Sequence, residues 1–94
     1  MTKKKLYTVV LEFGGGTYIA QASGESPVAA LPDWMSQLQD EDLAKWGITR
    51  SELTSVIESD HPVPISGCLG VWCLTGSVKK GLVLINMIAT DGSS

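Results

Sequence analysis

Near its C-terminal end the chain contains Val71-Trp72-Cys73-Leu74, then Lys79-Lys80-Gly81, and then Leu82-Val83-Leu84-Ile85-Asn86-Met87-Ile88-Ala89. This pattern predicts a β-hairpin whose two apolar strands meet at the lysine-glycine turn. The second strand is apolar at both alternating positions, which is typical of a strand covered on both faces. A chain of 94 residues can cover one sheet face with its own helices, but not two. We therefore expect a partner surface on the sheet.

The hairpin residues that we expect at this surface are large and apolar. They are Trp72, Leu74, Leu82, Leu84 and Ile88. Aromatic and large aliphatic side chains that are exposed together mark sites where proteins meet. The pattern favours a homodimer, or docking of another protein.

Composition indicates one folded domain, because 44% of the residues are hydrophobic and 18% are charged, the opposite of a disordered chain. The net charge of −3 is unevenly distributed. Residues 25–60 contain eight acidic groups against Lys45 and Arg50, a net charge of −6, whereas the flanking segments have a net charge of +3. The middle of the chain is thus acidic and its ends are mildly basic.

Charge and hydropathy weigh against nucleic-acid and membrane partners. Lys3, Lys4 and Lys5 with Lys79 and Lys80 make a poor basic stripe for phosphate backbones. No window of about 18 apolar residues is present, so we expect no membrane span. The basic start lacks a continuous apolar segment and a small-residue cleavage site, so we expect no secretory leader and a cytoplasmic protein.

A first hairpin is predicted near the N-terminus. Residues 6–13 alternate as a strand, Gly14-Gly15-Gly16 supplies a tight reversal, and residues 17–22 return. Glycine-rich loops also bind phosphates, but such loops lead into a helix N-terminus. Here the glycines lead into Thr17-Tyr18-Ile19, a β-branched and aromatic segment, which favours the turn.

The acidic middle predicts two to three helices. Ser26 and Pro27 suit the N-cap and first position of a helix whose apolar stripe includes Trp34, either kinked at Pro32 or beginning there. Asp40-Glu41-Asp42 opens a short helix that ends at Gly47, with Trp46 either covering the core edge or displayed. Thr49 and Glu52 form a capping box for a helix that ends near Ser59. His61-Pro62-Val63-Pro64 predicts an extended connector.

The predicted fold is α+β, with the order ββ-α(αα)-ββ. We expect one domain over residues 1–94 with a four-stranded, mainly antiparallel sheet and the helices on one face. Residues 1–5 and 90–94 are expected to fray. The pattern leaves the strand order open, and with it whether the central strands run parallel.

Catalytic and metal chemistry has little support in the sequence. Cys73 or Cys68 with His61 is the one candidate thiol and base, but no local spacing positions a dyad. Cys68 and Cys73 are expected on opposite faces of one strand, as free thiols of a reducing compartment. A single histidine makes a poor zinc site, and Asp40, Glu41 and Asp42 lack a ligand loop for a cation. We expect no cofactor, no metal and no enzymatic activity.

Three short motifs resemble a known set of proteins: Phe13-Gly14-Gly15-Gly16-Thr17-Tyr18-Ile19-Ala20-Gln21, Ser26-Pro27-Val28-Ala29-Ala30 and Gly70-Val71-Trp72-Cys73. They resemble short bacterial, largely cyanobacterial, proteins that share a GGTYI-type hairpin and a VWC-type strand and have no assigned function. The resemblance covers most of the chain and implies no activity. The β-β-α opening is also similar to the partial double-stranded-RNA-binding fold of HicB-type antitoxins. That family's Pro-Asp-x-x-Gly-Cys stretch is replaced by Ser23-Gly24-Glu25-Ser26, and no DNA-binding tail is expected.

Three hypotheses about function follow. The first is a non-enzymatic interaction module that self-associates through the apolar C-terminal hairpin. The second is a regulatory domain that binds nucleic acid or a small ligand near Lys79 and Lys80. The third is a thiol-dependent enzyme that uses Cys73 and His61.

Overall fold

The fold is α+β, as predicted, and it is seen in a computed structural model that describes residues 4–90. Along the chain its elements are β1 (Lys5–Phe13), β2 (Gly16–Gly24), α1 (Pro27–Gln37), α2 (Asp40–Trp46), α3 (Arg50–Ser59), β3 (Val63–Pro64), β4 (Val71–Val78) and β5 (Gly81–Ala89). Over this range the sheet has five strands, so the prediction of four strands is wrong.

The strands lie in the order β2-β1-β5-β4-β3, and every neighbouring pair is antiparallel. The first hairpin (β1 and β2) and the last one (β4 and β5) join through β1 and β5, with Leu11 opposite Ile85. The first and last strands of the chain are therefore the central pair. This settles the strand order and direction that the sequence leaves open.

The additional strand is β3, which lies in the segment predicted as an extended connector. Val63 pairs with Cys73 and Pro64 pairs with Trp72. Proline has no backbone N–H to donate, which keeps such a strand short and at a sheet edge. The extended conformation was predicted correctly, but a two-residue pairing has no periodicity from which it could be recognised.

Both predicted hairpins are present. Gly14 and Gly15 form the two-residue turn of the first, with φ angles of 59° and 83° that favour glycine. In the second, β4 continues to Val78, four residues beyond the predicted apolar segment. Lys79 and Lys80 are its turn residues.

The helix ends follow the predicted capping signals. The Ser26 side chain accepts a hydrogen bond from the Ala29 amide at 3.1 Å, and α1 continues as one helix through Pro32, which is exposed. Gly47 ends α2 in the left-handed region. Thr49 and Glu52 form the complete capping box of α3. The sheet and its helices therefore begin and end largely where local chemistry indicates.

All three helices contribute buried side chains to one core on one face of the sheet. The largest fully buried side chains include Trp34 of α1, as predicted, with Leu53, Leu74 and Ile85. Close approach of the helices requires glycine at Gly24 and Gly76. A Cβ at Gly24 would lie 2.5 Å from the Ala30 nitrogen.

The paired region reaches into both ends that were expected to fray. Lys5 pairs with Gly24, and the Thr90 amide donates to the Leu6 carbonyl at 3.0 Å. The outermost positions, 1–3 and 91–94, lie outside the described residues.

Candidate interaction surface

Alternation along the strands divides the sheet into a helix-covered face and a face without helices, which we call the open face. From the register, the open-face residues are Leu6, Thr8, Val10, Glu12, Thr17, Ile19, Gln21, Ser23, Val63, Val71, Cys73, Thr75, Ser77, Leu82, Leu84, Asn86 and Ile88. About half of these side chains are apolar. A solvated sheet face is normally polar.

Exposure of the apolar side chains on the open face is substantial. Ile19 is 68% exposed, Leu82 is 63% exposed and Val63 is 55% exposed. Leu84 and Ile88 are half-buried by their neighbours in the sheet. Among the open-face residues just named, Glu12 is the single charged one. The open face is therefore neither a core nor an ordinary charged surface.

The residues predicted for the partner surface divide between the two faces. Leu82, Leu84 and Ile88 lie on the open face, as the hypothesis requires. Leu74 is 1% exposed and belongs to the core, and Trp72 shares its side of β4. Leu74 is therefore removed from the proposed surface, because the helices already cover it.

Trp72 instead packs at the covered side beside Tyr7. The two rings meet edge to face, with centroids 5.7 Å apart and an interplanar angle of 73°. Burial raises the pKa of the Tyr7 hydroxyl above its usual range. Trp72 thus closes the end of the core rather than extending the open face.

Polar residues on the open face are hydrogen-bonded to each other across strands. The Gln21 amide nitrogen donates to the Thr8 hydroxyl at 3.3 Å, and that hydroxyl donates to the Thr90 hydroxyl at 3.1 Å. These groups already satisfy part of their hydrogen-bonding capacity. The face can therefore be covered with fewer unpaired polar groups than its composition suggests.

The candidate thiols and base lie on three different segments of the chain. Cys73 is half-buried on the open face between Asn86 and Val63, whereas Cys68 is exposed in the loop before β4 and not in that strand as predicted. His61 is exposed, and its backbone amide donates to the Asp60 carboxylate at 2.9 Å. Asp60 is therefore engaged with the backbone. Within residues 4–90, no three His, Cys, Asp or Glu side chains converge as metal ligands would.

The lysine turn is held against the acidic helices. The Lys79 amide donates to the Glu52 carboxylate at 3.1 Å, and the Thr49 amide donates to the same carboxylate at 3.0 Å. These two backbone hydrogen bonds, first that of Thr49 and then that of Lys79, lower the pKa of Glu52. Lys80 lines a shallow groove with Glu52, so the turn does not form a basic surface on its own.

Arg50 joins the ends of all three helices, a role that its position in the sequence did not reveal. Its guanidinium donates to the carbonyls of Met35 at 3.0 Å and Leu38 at 2.7 Å, which lie at the end of α1. It also forms an ion pair with Asp40, the first residue of α2, at 2.9 Å. One planar group thus satisfies carbonyls that the end of a helix leaves without partners.

A second surface feature was also missed: a groove of about 410 Å³ beside β2. Tyr18 and Trp46 stack along it, with ring centroids 4.0 Å apart and an interplanar angle of 23°. Leu38 and Asp42 complete its helical side. Trp46 is half-buried, so it partly covers the core edge and is partly displayed.

None of the helices within residues 4–90 is long and apolar enough to cross a membrane. Searches against protein families, curated proteins and solved structures each found no match.

Proposed function

We propose that this protein is a non-enzymatic interaction module and that two copies associate through their open faces. The observation that supports this most is the composition of the open face, where apolar side chains such as Ile19, Leu82 and Leu84 lie beside one charged residue, Glu12. A largely apolar patch with few charged residues is typical of interface cores.

The size of the open face fits a dimer contact. Four strands about 4.8 Å apart and about nine residues long, at about 3.3 Å per residue, together with the two-residue β3, give a face of roughly 600 Å² in projection. Side-chain relief raises the accessible area, and a standard interface buries about 800 Å² on each partner. Two such sheets pack about 10 Å apart with their strands about 30° out of line.

Charge favours this arrangement over a contact through the helices. Residues 25–60, which include α1, α2 and α3, have a net charge of −6. If the open faces meet, the two acidic helical layers lie on the outside of the dimer at their greatest separation. A helix-to-helix contact would bring like charges together, which costs affinity.

The cysteines support a cytoplasmic setting for the module. Cys68 is exposed and Cys73 is half-buried, and both are free thiols. Free thiols of this kind persist in a reducing compartment.

Light scattering after size exclusion, with sedimentation equilibrium over a range of concentrations, tests the proposal. We expect a species of about twice the chain mass of 10.0 kDa. Leu84→Lys places a charge in the middle of the open face and should shift the protein to a monomer. Ser51→Lys, on the exposed side of α3, adds the same charge away from the face and should leave the dimer intact.

Two results would overturn the proposal. One is a wild-type protein that stays monomeric at every concentration. The other is a dimer that persists in Leu84→Lys with the same dissociation constant. Circular dichroism of both variants checks that the fold is retained.

A further inference from the structure

The two edges of the sheet are protected to different extents. An unpaired strand edge presents free N–H and C=O groups to any extended chain, and proteins usually protect it. At one edge, β3 is two residues long, contains Pro64 and follows Pro62. At the other edge, β2 is nine residues long and has no proline.

Helix α1 covers the C-terminal half of the β2 edge. The Ser23 amide donates to the Asp33 carboxylate at 2.8 Å, and the Gln37 side chain donates to the Gln21 carbonyl at 2.8 Å. Both backbone groups therefore point away from β1 and towards α1. Two helical side chains here take the place of a neighbouring strand.

The N-terminal half of the same edge has no such cover. Backbone groups in a strand alternate in direction with a period of two, so those of Thr17 and Ile19 point the same way as those of Gln21 and Ser23. The two-residue turn at Gly14 and Gly15 gives the same assignment. The pair that flanks this turn, Phe13 and Gly16, is hydrogen-bonded, so the backbone groups of the next residue, Thr17, point away from β1. In the part of the chain that the structure describes, the outward groups of Thr17 and Ile19 have no hydrogen-bond partner.

The uncovered half lies directly beside the groove. Thr17, Tyr18 and Ile19 line the groove on the strand side, and the Tyr18–Trp46 stack forms its apolar wall. Asp42 lies on its helical side, in a first turn that also contains Glu41 and Asp40, the latter paired with Arg50. A free edge, an apolar wall and negative charge thus occur together.

A second copy of β2 is a poor occupant of this edge. Two-fold antiparallel pairing centred on Ile19 would place Thr17 opposite the partner's Gln21, where α1 already lies against the strand. The acidic first turn of α2 would also face a second acidic chain. The negative charge instead complements a basic segment.

We propose that the free half of β2 binds an extended basic peptide of a partner protein as an added strand. The outward groups of Thr17 and Ile19 form the backbone hydrogen bonds. An apolar peptide side chain enters the groove between Tyr18, Leu38 and Trp46. A lysine or arginine two positions along, on the same side of the peptide, reaches Asp42, which gives the pattern apolar-x-basic. This inference does not rest on the dimer, since the open face and the β2 edge are different surfaces.

The test is an amide NMR titration of the full chain with the capped peptide acetyl-Thr-Val-Thr-Lys-Thr-Val-amide. We expect chemical-shift changes and exchange protection at the amides of Thr17 and Ile19, with a shift of the Trp46 indole. The same peptide with glutamate in place of lysine should bind more weakly by about two- to fivefold, because it loses an exposed charge pair.

Three variants separate the contributions. Ile19→Pro removes one outward N–H without breaking the β1 ladder and should weaken binding about tenfold. Asp42→Asn should abolish the preference for lysine over glutamate. Gln21→Ala changes a side chain on the open face of the same strand and should leave peptide affinity unchanged.

The proposal is overturned if millimolar peptide shifts no β2 amide, or if the shifts fall on Leu84 and Asn86 of the open face. Equal affinity for the lysine and glutamate peptides would overturn the proposal that the partner segment is basic. If the amides of Thr17 and Ile19 were protected by self-association without any peptide, the occupant of this edge would be a second copy of the chain. Running the titration on Leu84→Lys as well separates failure of this proposal from failure of the dimer.

Discussion

The two faces of β5 have similar apolar residues but differ in burial. Val83, Ile85 and Met87 are completely buried beneath the helices. Leu82, Leu84 and Ile88 alternate with them and lie on the open face, half-buried or exposed. The strand's own composition therefore does not determine which face the helices cover. The neighbouring strand β1 does, because its covered side is apolar throughout, with Tyr7, Val9, Leu11 and Phe13, whereas its open side also contains Thr8 and Glu12.

The helical layer and the open face also differ in how they interact with water. The outer surface of the helices has the acidic charge of residues 25–60, which hydrates it and repels other acidic surfaces. The open face has Glu12 alone and relies on threonine, serine and amide groups for its polarity. One side of the molecule thus resists association and the other does not.

Truncation of neighbouring residues on the two faces of β5 should give the largest difference in the free energy of unfolding. Ile85→Ala removes a completely buried side chain and should lower the free energy of unfolding by about 2 to 5 kcal/mol. Leu84→Ala, one position away on the open face, should cost the monomer less than about 1 kcal/mol. Urea denaturation at low protein concentration, where association does not contribute, measures both.

Equal losses for Ile85→Ala and Leu84→Ala in the monomer would contradict the comparison, because the open face would then be packed as tightly as the core. At high concentration the two variants should behave differently. Leu84→Ala should weaken the dimer, whereas Ile85→Ala should affect association only through folding.

Local chemistry in the sequence predicts most of this fold. The glycine turn after residue 13, the Ser26 cap and the Thr49–Glu52 capping box each depend on residues within four positions, so each could be predicted. The strand β3 could not, because its pairing with Cys73 and Trp72 depends on a distant strand. Likewise, only the pairing of β4 with β5 determines that Trp72 and Leu74 lie on the helix-covered face of the sheet.

The candidate surfaces were predictable to different degrees. Apolar residues at both the odd and the even positions of β5 predict that both faces of this strand are covered. In the structure, helices cover only one of the two faces. The groove beside β2 was not predictable, because it depends on Tyr18 and Trp46 coming together from separate elements. The role of Arg50 was hidden for the same reason, since it binds carbonyls at the end of another helix.

Substitution at Gly76 sharpens the comparison on β4. A Cβ at this covered position would lie 2.7 Å from the Val56 side chain of α3, which is β-branched and stiff. Gly76→Ala should therefore lower the free energy of unfolding by about 1 to 3 kcal/mol. Ser77→Ala, the next residue and on the open face, should change it by less than about 0.5 kcal/mol. Thermal denaturation of the two variants measures the difference, and a neutral Gly76→Ala would show that α3 is not tightly seated.

The hydrogen bonds of the helical layer and those of the open face should also differ in how much they contribute to stability. Arg50→Lys keeps the charge but loses the planar fork that binds the Met35 and Leu38 carbonyls, so we expect a loss of about 1 to 2 kcal/mol. Thr8→Val removes an open-face hydroxyl that water can replace and should cost about 0.5 kcal/mol or less. Chemical denaturation measures both losses. A larger loss for Thr8→Val would mean that the open-face network is the more important one.

The smallest expected effect is the pH dependence that Glu52 contributes on the covered side. Its pKa lies below the ordinary value of 4.5, because the Thr49 and Lys79 amides donate to the carboxylate. The group therefore adds stability that is fully present above pH 4.5 and is lost as the pH falls through the lower pKa of the folded state. Glu52→Gln should be less stable than the wild type at neutral pH, and the difference should vanish in acid.

Urea denaturation at a series of pH values, from neutral to about pH 2.5, measures this convergence. Glu58→Gln is the matched control, since Glu58 is an exposed residue of the same helix. The same convergence in Glu58→Gln would assign the effect to net charge. If only the stability of Glu52→Gln converges with that of the wild type in acid, the pH dependence is due to the Glu52 carboxylate, which joins α3 to the β4–β5 turn. A Glu52→Gln variant that stays less stable than the wild type below the lowered pKa would contradict the assignment, because the protonated wild-type side chain no longer differs from the amide in charge.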